Sequence, residues 1–180
     1  MRFPFISYIL LIVISALASG CFSDTSEQYV NDLKSNNISV RKNAVYYLGK
    51  DKASDAAPIL AQLFKDDHSK EVRLYIIDAL AELSEKSSGS VLIDILNEND
   101  SEIQLAAIDA LGKLVATDAV YPLISLLDTE DRLLKLTAFR ALGNIKDASA
   151  VPALTMFLNH DDKFVRYNAA QALKRIGERE

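Results

Sequence analysis

Two clusters in this 180-residue chain bring carboxylate and imidazole side chains together, Asp66-Asp67-His68 and His160-Asp161-Asp162. Donors grouped in this way could hold a metal ion. A third candidate is Cys21, the only cysteine, whose thiol could be modified covalently. A lone cysteine excludes an intrachain disulfide and a multi-cysteine metal site. The fourth is a set of cations, Arg41, Arg73, Lys135 and Arg166, which could form an anion-binding ladder.

The elements that must position these residues are repeats. The stretch Ile103-Gln104-Leu105-Ala106-Ala107-Ile108-Asp109-Ala110-Leu111-Gly112 recurs along the chain, led by Val40, Val72, Ile103, Leu134 and Val165. The spacing between these leaders is about 31 residues, and a fixed period in that range signals a solenoid. Each repeat reads as two helices. Helix A follows a capping residue, in turn Asn37, Ser69, Asp100, Asp131 and Asp162, whose side-chain oxygen can accept from free N–H groups of the first turn. Apolar residues then follow at helical spacing. Two columns are mostly alanine, one through Ala44, Ala107, Ala138 and Ala169 and the other through Ala79, Ala110, Ala141 and Ala172. Small side chains at matched positions allow stacked helices to approach closely. Gly49, Gly112 and Gly143 come late in helix A and are read as marking its turn.

Helix B is expected to start near Ser54, Ser87, Thr117 and Asp147. Its predicted core columns are Leu60, Leu92, Leu123 and Leu154, then Leu63, Ile95, Leu126 and Phe157, then Phe64, Leu96, Leu127 and Leu158. Pro58 and Pro152 fall near its start, where a missing N–H costs nothing. A half repeat, capped by Thr25 and Gln28 in capping-box spacing, opens the stack. The second repeat departs most from the pattern, with Ala81 in the glycine column and Ser87-Ser88-Gly89-Ser90 opening helix B. A more polar last helix A closes the stack without a helix B after it.

Before the repeats, Arg2 and an apolar run from Phe5 to Ala18 precede Ser19, Gly20 and Cys21. The run is shorter than the roughly 20 residues that span a bilayer and has the flanks of a secretory signal. The residues Ala18-Ser19-Gly20-Cys21 resemble the lipobox of bacterial lipoproteins, with Ala18 where Leu is usual. That resemblance implies lipid on the Cys21 thiol and cleavage just before it. A plain signal peptide cut near Gly20 and an uncleaved anchor remain open. Phe22, where an inner-membrane retention signal would carry Asp, favours the outer membrane and a periplasm-facing chain by the same resemblance.

The Val-Arg-x-x-Ala-x-x-x-Leu-Gly helix followed by Ala-x-Pro-x-Leu-x-x-x-Leu resembles the HEAT family, in particular the short HEAT-like repeats first named from phycobilisome lyases. The resemblance covers residues 38–177. It implies an all-α fold, an α-solenoid (superhelix) of HEAT-like helix pairs with about ten short helices. The expected organisation is a leader at 1–20, the lipidated cysteine and spacer at 21–26, and a solenoid at 27–180. Within the solenoid lie a half repeat at 27–36, repeats at 38–67, 69–99, 101–130 and 132–161, and a capping helix at 163–177.

A repeat fold does not imply an activity. The lyase relatives attach bilins in the cytosol, whereas this chain reads as exported and has no second cysteine for a bilin site. Another HEAT-type enzyme, deoxyhypusine hydroxylase, binds iron through His-Glu pairs, and no His-Glu dipeptide occurs here. The two His/Asp clusters fall at the same turn of repeats about three periods apart, so they read as caps and solvated turns rather than metal ligands. The cation column, interrupted by Gln104, reads by the resemblance as pairing with acids of adjacent repeats. No catalytic residue, metal or cofactor is expected.

The expected function is a membrane-tethered adaptor that binds an unidentified protein or peptide on the concave helix-B face. The residues pointing away from the helix-B core form two rows, Gln62, Asp94, Ser125, Met156 and Lys65, Asn97, Asp128, Asn159. These are mixed and mostly polar. With a net charge of −5 and interspersed signs, they give neither a basic track nor an aromatic ladder for nucleic acid. Ordinary solvated helix faces are the competing reading of both rows. Tyr46 and Tyr75 offer a second patch, since exposed aromatics favour interfaces. A monomer is expected. An accessory to a lyase or cofactor-attachment step and a purely structural envelope lipoprotein are the alternatives.

Overall fold

The computed structural model describes residues 24–178 apart from 54, 55 and 85. The leader, Cys21, Ser54 and the side chain of Thr25 lie outside the described residues. Ten α-helices occur among the described residues, with no strand. They are α1 (Asp24–Asp32), α2 (Ile38–Lys50), α3 (Ala56–Asp66), α4 (Lys70–Leu83), α5 (Lys86–Ile95), α6 (Ser101–Lys113), α7 (Val120–Ser125), α8 (Arg132–Ile145), α9 (Val151–Met156) and α10 (Lys163–Gly177). The fold is thus the α-solenoid class that the repeat period implied. Among the described residues, no helix is long and apolar enough to cross a membrane.

The chain forms two compact units, Met1–Ser88 and Gly89–Glu180. The division falls in the Ser87-Ser88-Gly89-Ser90 run, where the repeat pattern is weakest.

Helix A starts where a side chain can satisfy the open first-turn amides. Asn37 Oδ1 accepts from the Ser39 amide at 2.9 Å, and Ser69 Oγ from the Val72 amide at 3.4 Å. Asp100 accepts from the amides of Glu102 and Ile103, Asp131 from those of Leu133 and Leu134, and Asp162 from that of Phe164. Each removes an unpaired donor at a helix end.

The glycine column does something other than turn the chain. Gly49, Gly112 and Gly143 lie inside α2, α6 and α8. A Cβ on Gly49 would stand 2.7 Å from Ala79 Cα, one on Gly112 3.0 Å from Ala141 Cα, and one on Gly143 3.0 Å from Ala172 Cα. Glycine on one helix A therefore meets alanine on the next, and this pairing sets the close stacking. The turns are made three residues later by Lys52, Ser84, Val115 and Lys146, all at positive φ. The sequence points to glycine at the turn, but the small residue is needed for packing, and ordinary residues carry the strain of the left-handed conformation.

At α2 the alanine column holds Tyr47. Among the described residues the short α1, not a full helix A, comes before α2. Tyr47 instead stacks on Tyr29 of α1, ring centroids 5.1 Å apart and planes 11° from parallel.

Helix B is long only in the first two repeats. In the later two it is a six-residue α segment, α7 or α9, between 3₁₀ turns at Thr117–Ala119 and Leu126–Asp128, and at Ala148–Ala150 and Phe157–Asn159. Its first core column is buried throughout, at Leu60, Leu92, Leu123 and Leu154. The third column fails at Leu158, which is 37% exposed. Phe157 is half-buried and packs edge-on against Phe139 at 5.2 Å.

Candidate protein-binding site

The His/Asp clusters are occupied by local structure. Asp67, only 4% exposed, takes two bonds from Arg41, Nε to Oδ2 at 2.6 Å and Nη2 to Oδ1 at 3.1 Å, and also accepts from the Ser69 amide. His160 Nδ1 accepts from the Asp162 amide. The Asp162 carboxyl is held below its ordinary range, first by the Phe164 amide and then by the neighbouring Arg132 guanidinium. Among the described residues, no three His, Cys, Asp or Glu side chains group closely enough to hold a metal ion.

At Arg41 and Arg166 the cation column does not form the expected pairs with acids of adjacent repeats. Arg41 pairs with Asp67 of its own repeat, and its Nη1 donates to the Ser35 carbonyl at 2.8 Å. Arg166 Nη1 donates to the carbonyls of His160 and Asp161. Gln104, which breaks the charge pattern, does the same work by donating to the Leu96 carbonyl at 2.9 Å. At these three positions the column caps carbonyls of the preceding turn, a task for any long donor. Pairs between successive A helices lie elsewhere, with Arg140 on Asp109 at 2.6 Å and Arg175 on Asn144 at 2.7 Å.

In the first unit, Gln62 is half-buried and donates to Asp66, while Lys65 is exposed. A cleft of about 530 Å³ lies nearby, lined by Leu33, Lys34, Ile38, Leu63, Asp66 and His68 beside the Arg41–Asp67 pair. Tyr46 and Tyr75 are 49% and 40% exposed. Lys50 sits over the rings of Tyr46 and Tyr47, and Lys42 over Tyr75. Lys42 also donates to Glu71 at 2.9 Å, and that bond raises its pKa above the ordinary lysine value.

In the second unit, α7 shows how the helix-B face is made. Ala119, Val120, Leu123 and Leu127 are buried, which turns Asp118, Tyr121, Ser125 and Asp128 outward. On α9 the burial of Leu154 likewise leaves Pro152, Met156 and Asn159 exposed, and on α5 that of Leu92 and Ile95 leaves Asp94 and Asn97 exposed. The two rows read from sequence are therefore solvent-facing in this unit. Ser125 Oγ donates to the Pro122 carbonyl and Asn97 Nδ2 to the Asp94 carbonyl, each three residues back. Tyr121, 73% exposed, is absent from those rows, because its column holds proline in two other repeats and carried no binding signal. Tyr121 and Met156, the latter 79% exposed, are the most exposed large apolar side chains among the described residues.

A family model for HEAT repeats matches residues 26–112, 66–136 and 89–174. Among solved structures, the complex of CpcE and CpcF of phycocyanin lyase from Nostoc sp. PCC7120 is similar, at 25% identity and a TM-score of 0.69, covering 88% of this chain and 67% of that one. A designed armadillo repeat protein in complex with the peptide (KR)4 matches at 24% identity and a TM-score of 0.58, over 91% and 85% of the two chains. An engineered protein matches at 25% identity and a TM-score of 0.57, over 92% and 83%. No curated protein sequence matches.

Proposed function

Since the chain belongs to the HEAT-repeat family, we propose that it is a membrane-tethered scaffold holding another protein or peptide on its helix-B face. One observation carries the binding surface. Tyr121 and Met156 stand 73% and 79% exposed on that face, and these residue types are enriched at interface centres. Neither contributes to the core, so stability gives no reason for a large apolar group at either place.

The tether is read from the leader and Cys21. An acyl anchor brings about 0.8 kcal/mol for each buried methylene, and two chains hold a protein at a membrane. The scaffold is placed in a bacterial envelope, and no residue is assigned a catalytic role. The likeness to the CpcE–CpcF complex favours a second reading, accessory to a cofactor-attachment step.

The test is a crosslinked pull-down of the tagged protein from its own membranes, with the Asp94→Lys, Asp128→Lys double variant beside it. The scaffold reading expects one protein recovered with wild type and lost with the variant. Recovery unchanged by the variant would move the interface to Tyr46 and Tyr75. A chromophore bound after purification would favour the second reading. Metabolic labelling with a radioactive fatty acid tests the tether, which fails if Cys21→Ser incorporates as much label as wild type.

A further inference from the structure

In the second unit the two helix layers carry opposite charge. The helix-B segments, residues 89–98, 117–128 and 148–159, contain Asp94, Glu98, Asp118 and Asp128 and no lysine or arginine. The A helices α6, α8 and α10 contain eight lysines and arginines, with Glu102 and Asp109 the only acids among them. A net charge summed along the chain conceals this, because layers alternate every fifteen or so residues and the two signs offset each other.

On the helix-B layer two acids, Asp118 and Asp128, bracket Tyr121 within one repeat. Asp118 and Tyr121 are three residues apart and both exposed on the α7 side. Asp128 follows Tyr121 by seven, again on the outward stripe, and Asp94 occupies the repeat position that Met156 fills in α9. The segments 89–98, 117–128 and 148–159 carry these carboxylates with no lysine or arginine among them, Lys86 at the start of α5 falling before the second unit. The A layer disposes of its charge differently, with Arg140 on Asp109, Arg132 on Asp162 and Lys174 on Glu178.

We infer that the helix-B face of the second unit docks a cationic segment, one in which lysines or arginines alternate with apolar anchors. The carboxylates would supply charge complementarity and encounter rate, while Tyr121 and Met156 would supply the desolvated contact. A flat anionic partner, nucleic acid or an anionic lipid surface, meets the wrong sign on this face. The inference rests on the scaffold reading above and adds the chemistry of the partner.

The experiment uses the full chain in detergent and fluorescent ten-residue peptides of defined composition. One alternates lysine with leucine, one is lysine with serine, and one alternates glutamate with leucine. Fluorescence anisotropy should show the lysine–leucine peptide binding at least tenfold more tightly than either other peptide, with affinity falling as salt rises. Asp94→Asn with Asp128→Asn should weaken it about tenfold, as should Tyr121→Ala with Met156→Ala. Lys163→Gln, on the A layer, should leave it unchanged. Equal binding of the glutamate–leucine peptide, dependent on Tyr121 and Met156, would overturn the charge assignment while leaving a binding face. Binding unmoved by either helix-B double variant, or no binding at all, would overturn the inference. A membrane partner still lost with Asp94→Lys, Asp128→Lys in the pull-down would then keep the scaffold reading standing alone.

Discussion

Two glycine-to-alanine substitutions should change stability in opposite directions. Both Gly49 and Gly89 lie inside helices, α2 and α5, where alanine is preferred over glycine by about 1 kcal/mol. At Gly89, among the described residues, the added methyl would find only Ala116 Cβ, at 3.9 Å, an ordinary contact distance. Gly89→Ala should therefore stabilise by about 0.5–1 kcal/mol. At Gly49 the methyl would stand 2.7 Å from Ala79 Cα and 2.8 Å from Ala79 Cβ. Carbon atoms pack at about 3.5–4.0 Å, so α2 and α4 must separate by most of an ångström. Overpacking of this kind costs about 1–3 kcal/mol, and the backbone on the far side has no rotamer with which to yield. After the propensity gain the net should be a loss of about 1–2 kcal/mol. The assay is urea unfolding followed by circular dichroism, reading the midpoint with the slope held as a check on cooperativity. A midpoint for Gly49→Ala at or above that of Gly89→Ala would refute the packing role of the glycine column.

Three further outcomes are expected. Val115, a β-branched residue at φ 52°, pays about 1–2 kcal/mol for its left-handed backbone, so Val115→Gly should raise the melting temperature despite glycine's chain entropy; a fall would mean that the Val115 side chain has a packing role. Breaking the Arg41–Asp67 pair, whose side chains are 15% and 4% exposed, by Arg41→Met should cost about 3–5 kcal/mol by leaving a buried carboxylate uncompensated, and the denaturation midpoint measures it. The folded Asp162 carboxyl titrates below its unfolded value because of the Phe164 amide. Its stabilisation is thus complete above the ordinary aspartate pKa and is lost as pH falls through the lower folded one; in melting curves from neutral to acid pH, Asp162→Asn should flatten that acid limb.

The repeat architecture was readable because each layer asks for the same side chains at the same places. Asn37, Ser69, Asp100, Asp131 and Asp162 announced their helices, since a cap is a local bond between a residue and amides two or three positions on. What a column is for was less legible. A glycine looks the same in sequence whether it serves a positive φ or a close contact, and only the coordinates of Ala79 decide between them. The column of Arg41, Gln104 and Arg166 reads as broken when charge is compared, yet it is continuous in donor geometry. Leu158 has the right residue type for the core yet stands 37% exposed, because burial depends on what packs against a residue and not on its type. On the helix-B face, the rows through Asp94 and Asp128 follow from helical phase, whereas the column of Tyr121 holds proline in two other repeats and gives no binding signal. The segregation of charge between layers became visible only after the helices had been assigned to their layers.

The scaffold account turns on where a partner touches the chain, and site-specific photocrosslinking in intact cells measures that directly. A benzophenone amino acid would replace Met156 on the helix-B layer or Ala170 on the exposed side of α10. A partner held on the helix-B layer should give a discrete heavier adduct from position 156 and none from position 170. An adduct from position 170 with none from 156 would place the partner on the other layer and contradict the scaffold account.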